Sequence, residues 1–212
     1  MSVRVKICGI TTPDALDAAL AAGAHAVGFV FFPPSPRALT PATARALAAR
    51  APGVRKVGVF VDPDDALLAA AIEGGGLDTV QLQGDEPPER VAEIRQRYGV
   101  KVWRAKGVRT AAGLRDLERR FSMADALLLD AQAPDGAPLP GGNGLRFDWR
   151  ILTDVRSQMP WILAGGLNAD NVAEAIRLTG ADFVDVSSGV ESSPGVKSLA
   201  KIAAFTQAAH RA

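Results

Sequence analysis

Cys8 ends the run VRVKIC (3–8) and is followed by Gly9. A buried inert cysteine is a common fate for this residue type. A thiol at a strand end, beside a loop, also has the position of a base or nucleophile. With an ordinary pKa of about 8.5, only a small fraction of such a thiol is ionised at neutral pH. Lys6, two residues earlier and on the same side of a strand, is expected to enlarge that fraction. Asp130 ends ALLLD (126–130), just before the long irregular stretch 131–147. By itself it reads as a turn-forming aspartate. If the stretch closes over it, desolvation raises its pKa and keeps a proton available for general-acid work. Arg37 sits in FFPPSPR (31–37). It is either a solvated surface group or a guanidinium held by stiff prolines to meet a substrate carboxylate.

A second set of residues suits an anion. Gly165 and Gly166 lie in AGGLN (164–168), and Ser187, Ser188 and Gly189 follow VDV (184–186). Glycine lets backbone N–H groups approach a phosphate, and a helix N-terminus adds favourable charge. Gly142 and Gly144, in GGNG (141–144), form a third cluster that reads either as a hinge or as further backbone donors.

These residues need a frame that brings them to one place. Eight short runs supply it: 3–8, 26–32, 54–60, 77–83, 100–106, 124–130, 160–165 and 181–187. Alanine-rich helical stretches alternate with them, which predicts a parallel sheet with helices outside. Thr12-Pro13, Thr40-Pro41 and Asp62-Pro63 each read as a capping side chain before a proline at the first helical position. Eight units in one domain spanning 1–212 predict an α/β fold, a single (β/α)8 TIM barrel at the compact end of its size range. The active face of that architecture is the C-terminal strand ends, where Cys8 and Asp130 fall. A phosphate site is usual after strands seven and eight.

Strand alternation sorts the side chains. Arg4, Lys6 and Cys8 point inward, as do Leu128 with Asp130 and Phe183 with Asp185. An inward lysine is costly unless paired. Closure of the barrel sets the first strand beside the eighth, so Lys6 is expected to pair with Asp185. His25 and His210 carry little weight, one in a turn at the opposite end and one near the C-terminus.

Composition narrows the partners. With 24 basic and 23 acidic residues, the charge gives no reason to expect nucleic acid or a membrane surface. A single cysteine excludes an internal disulfide framework and fits a cytoplasmic protein. One Cys and two His far apart argue against a structural metal site.

Together the stretches KICGIT (6–11), GFVFFPPSPR (28–37), VQLQGDE (80–86), LLLDA (127–131), GGNGLRFDW (141–149), ILAGGLNADNV (162–172) and VDVSSGVESSPGVK (184–197) resemble the phosphoribosylanthranilate isomerases of tryptophan biosynthesis. The resemblance covers essentially the whole chain. It implies an isomerase that carries out an Amadori rearrangement of N-(5-phosphoribosyl)anthranilate by general acid–base catalysis, with no cofactor. It implies Asp130 as general acid, Cys8 as general base, Arg37 on the anthranilate carboxylate and Asp185 in support. It also implies a small phosphoribosyl substrate as partner and a monomer or homodimer. Gln83 stands where the family commonly has histidine, and Asn143 where it has threonine or serine. Two rivals remain. A histidine-pathway or dual-substrate Amadori barrel would carry aspartate at the end of strand one, where this chain has Cys8. An idle barrel would bind a phosphosugar or a protein without turnover.

Overall fold

The computed structural model describes residues 3–108, 110–130, 149–153 and 157–212. Strands and helices alternate: β1 (Arg4–Cys8), α1 (Pro13–Ala21), β2 (Ala26–Val30), α2 (Pro41–Ala48), β3 (Arg55–Phe60), α3 (Asp65–Gly75), β4 (Thr79–Leu82) and α4 (Pro88–Tyr98). They continue with β5 (Lys101–Gly107), α5 (Ala111–Arg120), β6 (Ala126–Asp130), β7 (Trp161–Leu163), α6 (Val172–Thr179) and β8 (Phe183–Val186). A short hairpin, β9 (Glu191–Ser193) with β10 (Val196–Lys197), precedes α7 (Leu199–His210). The eight main strands close into a parallel barrel in chain order, and β1 pairs with β8 in the register Lys6 to Asp185.

Two apolar layers result from strand alternation. Val5, Ile7, Leu127, Leu129, Val184 and Val186 belong to the core between strands and helices. Trp103, Leu128, Ile162 and Phe183 fill the barrel's inside with small residues such as Ala26 and Ala105. Trp103 and Phe183 meet edge to face, with ring centroids 5.7 Å apart. Burying each such side chain contributes about 1.5–3 kcal/mol. Arg4, expected inward, lies at the lower rim with its guanidinium over the Phe183 ring, and half its side chain reaches solvent beside Asp182.

Thr12 and Thr40 cap α1 and α2 as predicted, each side chain accepting a backbone N–H one turn ahead. Asp62 does not cap α3. Asp64 does, accepting from the Leu67 N–H at 2.7 Å. Asp62 instead takes a left-handed turn, φ 44°, and its carboxylate accepts from the Asp85 N–H. Its own N–H donates to Glu86. Two aspartates, one on each side of Pro63, compete for the cap, and the one nearer the helix wins. His25 has a structural task, its Nδ1 accepting the Val5 N–H at 3.2 Å. Among the described residues no helix is long and apolar enough to cross a membrane.

Candidate active site

A polar layer lies above the apolar filling of the barrel. Lys6 is fully buried and donates to Asp185 Oδ1 at 2.9 Å and to Gln81 Oε1 at 3.0 Å. The Lys6–Asp185 pair inferred from alternation and closure is therefore present. Gln81 Nε2 passes the chain on to Gln83 Oε1 at 3.0 Å. Gln83 thus reaches the interior network through another side chain. Burial works against the Lys6 ammonium, but Asp185 and then Cys8 outweigh it, so its pKa lies above the ordinary lysine value. Removing one member of such a pair typically costs about 3–5 kcal/mol, because the other is left buried and alone.

Cys8 tops β1, buried, with Val30, Val59 and Phe32 around it. Its pKa is raised, first by burial and then by the Asp185 carboxylate, against the lowering pull of Lys6 and Lys197. Lys6 favours the thiolate, as expected, but burial outweighs it and sets the net direction. The sign of the pH dependence follows. In the free protein the thiol stays protonated through neutral pH. A step that needs the thiolate should speed up about tenfold per pH unit until that raised pKa is passed. A kcat/KM profile should therefore still be climbing above the ordinary thiol value of about 8.5. A plateau reached below pH 8 would contradict this assignment.

Asp130 ends β6, opposite Gly107 of β5, on the inward face it shares with Leu128. Gly142, Asn143, Gly144 and the whole stretch 131–147 lie outside the described residues.

Arg37 is neither solvated nor waiting alone for a substrate. It is buried, and its Nε and Nη2 donate to Glu191 Oε1 and Oε2 at 2.7 and 2.8 Å. Burial opposes its charge, but the Glu191 bonds dominate and raise its pKa. Glu191 was not singled out from the sequence, being 154 positions away from Arg37. Neither were Lys197, Gln81 or the β9–β10 hairpin. An isolated glutamate and lysine flanking the turn SSPG (192–195) were the available signal.

The two anion loops come together. Gly165 and Gly166 adopt left-handed φ of 85° and 66°. Gly189 packs so closely on the Leu167 carbonyl that a Cβ there would overlap it. The 187–189 turn therefore rests directly on the 164–168 turn. Asn168 and Asn171 brace the latter: the Asn168 N–H donates to Asn171 Oδ1, and Asn171 Nδ2 donates to the Gly166 carbonyl. The Asn168 N–H is thus occupied within the loop, and α6 begins only at Val172. Gly189→Ala should push the two turns apart and raise KM at least about tenfold with a smaller change in kcat. The estimate rests on the loss of about 1.4 kcal/mol of binding. Steady-state kinetics checks it, and an unchanged KM would contradict it.

The sequence profile of N-(5′-phosphoribosyl)anthranilate isomerase matches residues 5–208. The chain belongs to this family. The phosphoribosylanthranilate isomerase of Paramagnetospirillum magneticum is 56% identical over 210 residues, covering 99% of this chain and 98% of that one. Among solved structures, monomers generated from the dimeric phosphoribosylanthranilate isomerase of Thermotoga maritima superpose with a TM-score of 0.85 at 35% identity. That match covers 99% of this chain and 100% of the other. A phosphoribosylanthranilate isomerase in complex with reduced 1-(o-carboxyphenylamino)-1-deoxyribulose 5-phosphate superposes with a TM-score of 0.83 at 37% identity, with the same coverage. Both solved structures thus align with the present chain over nearly its whole length.

Proposed function

We propose that this barrel converts N-(5-phosphoribosyl)anthranilate to 1-(2-carboxyphenylamino)-1-deoxyribulose 5-phosphate. Family membership carries the reading, and the inward placement of Cys8 and Asp130 at strand ends supports its chemistry. Asp130 protonates the ribose ring oxygen. The C1′–O bond then breaks as the anilino nitrogen lone pair forms a Schiff base. Cys8 as thiolate removes the proton at C2′, and the C2′–H electrons close C1′=C2′ while the C=N π pair returns to nitrogen. The resulting enolamine gains a proton at C1′ and loses one from the C2′ hydroxyl, giving the ketone. Atoms balance without any redox partner, in keeping with a reaction that needs no cofactor.

The 5′-phosphate belongs at the paired turns of 165–166 and 187–189, where backbone N–H groups and glycines permit close approach. Arg37 faces the anthranilate carboxylate with the guanidinium edge that Glu191 does not use. Asp185 and Gln83 support the sugar through the Lys6 network. Held at both anionic ends, the ring lies between acid and base, which is where orientation accelerates a proton transfer most. The chain acts as a monomer or homodimer.

Purified protein should abolish the fluorescence of freshly made phosphoribosylanthranilate at catalytic rates. Turnover of the histidine-pathway aminoaldose phosphate with none of the anthranilate compound would favour the rival barrel. Binding of either without turnover would favour the idle one.

A further inference from the structure

Glu191 joins parts of the site that are far apart in sequence. Its carboxylate accepts from Arg37 through both oxygens, from Lys197 Nζ at 2.7 Å and from the Gly195 N–H at 3.2 Å. Lys197 Nζ continues to the Ser187 carbonyl at 3.0 Å. Ser187 Oγ in turn donates to the Cys8 carbonyl at 3.2 Å. The side chains of Arg37, Glu191 and Lys197 are almost completely buried, between 1% and 7% exposed, so water does not compete for these bonds. The chain of contacts runs from the group after β2, through the β9–β10 hairpin, to the turn after β8 and the end of β1. Two cations around one carboxylate also leave a net positive charge between the places where the substrate's two anionic groups would sit.

We propose that Glu191 is a positioning residue that, through Lys197, locks Arg37 and the Ser187–Gly189 turn into one unit, fixing the span between the carboxylate and phosphate handles. The proposal rests on the isomerase reading above. A glutamate that served Arg37 alone would affect only the carboxylate end. A coupling glutamate affects both, and Lys197 carries its effect to the phosphate end.

The test compares wild type, Glu191→Gln and Lys197→Met, with far-UV circular dichroism to verify folding. Each is titrated with anthranilate and, separately, with ribose 5-phosphate, in competition with the reduced product analogue. Glu191→Gln should weaken both ligands about tenfold. Lys197→Met should weaken ribose 5-phosphate about tenfold and leave anthranilate within twofold. A purely structural role would not separate the two ligands in this way. Ribose 5-phosphate binding within twofold of wild type in a folded Glu191→Gln protein overturns the proposal. If that variant fails to fold, the same result in Lys197→Met overturns it. Wild-type turnover of the full substrate reports independently on the isomerase reading. Its failure would withdraw that reading, while the variant-to-wild-type binding ratios still decide the coupling.

Discussion

Cys8→Ala should lower kcat by about 10²–10⁴-fold, the usual contribution of a positioned base. The substitution removes one sulfur from a small collar of Val30, Val59 and Phe32 and breaks none of the Lys6 bonds to Asp185 and Gln81. The fold and the affinity for the reduced product analogue should therefore survive, and the loss should fall on kcat. Cys8→Ser makes the same point with less change in volume, since a hydroxyl in this apolar setting cannot ionise near neutral pH. Single-turnover fluorescence with either variant in excess over substrate measures the chemical step directly. Turnover close to wild type in Cys8→Ala would remove the thiol from the role of base.

Asp130→Ala carries the second large effect, again about 10²–10⁴-fold on kcat. Asp130 ends β6, three strands around the barrel from Cys8 on β1 by the shorter path through β8 and β7. It therefore cannot substitute for the thiol or be replaced by it. In the proposed mechanism it protonates the ring oxygen, so its loss should block ring opening. Binding of the reduced product analogue, whose sugar is already open, should remain within a few-fold of wild type. Calorimetry on Asp130→Ala with that analogue, beside the steady-state rate, separates the two effects. A variant that binds the analogue poorly but turns over bound substrate normally would make Asp130 a binding group instead.

The frame of this site was legible because it depends on local patterns. Period-two alternation places Lys6 and Asp185 inside, and closure of an eight-strand barrel makes them neighbours. The glycine turns after β7 and β8 stood out for the same reason. What the sequence did not reveal depends on contacts between distant segments. Arg37 was read without its carboxylate because Glu191 is bound to it only through the hairpin after β8. The pull of Lys6 on Cys8 was legible, but the larger opposing effect of burial was not, because it depends on side chains from β2 and β3 and the loop after β2. The bond from Lys6 to Gln81 also escaped the sequence, since it joins strands 75 positions apart. Asp62 was read as a cap because the dipeptide Asp62-Pro63 fits one, whereas the competing Asp64 lies only two residues on.

In the proposed mechanism one substrate spans the barrel mouth with its reacting carbons between Cys8 and Asp130. A crystal structure with the reduced product analogue tests it most directly. The phosphate should lie against Gly165, Gly166 and the 187–189 turn, and the carboxylate against Arg37. The carbon bearing the former C2′ proton should face the Cys8 sulfur, and the former ring oxygen should face Asp130. A ligand bound in the opposite sense, or with its phosphate away from both glycine turns, would contradict the account.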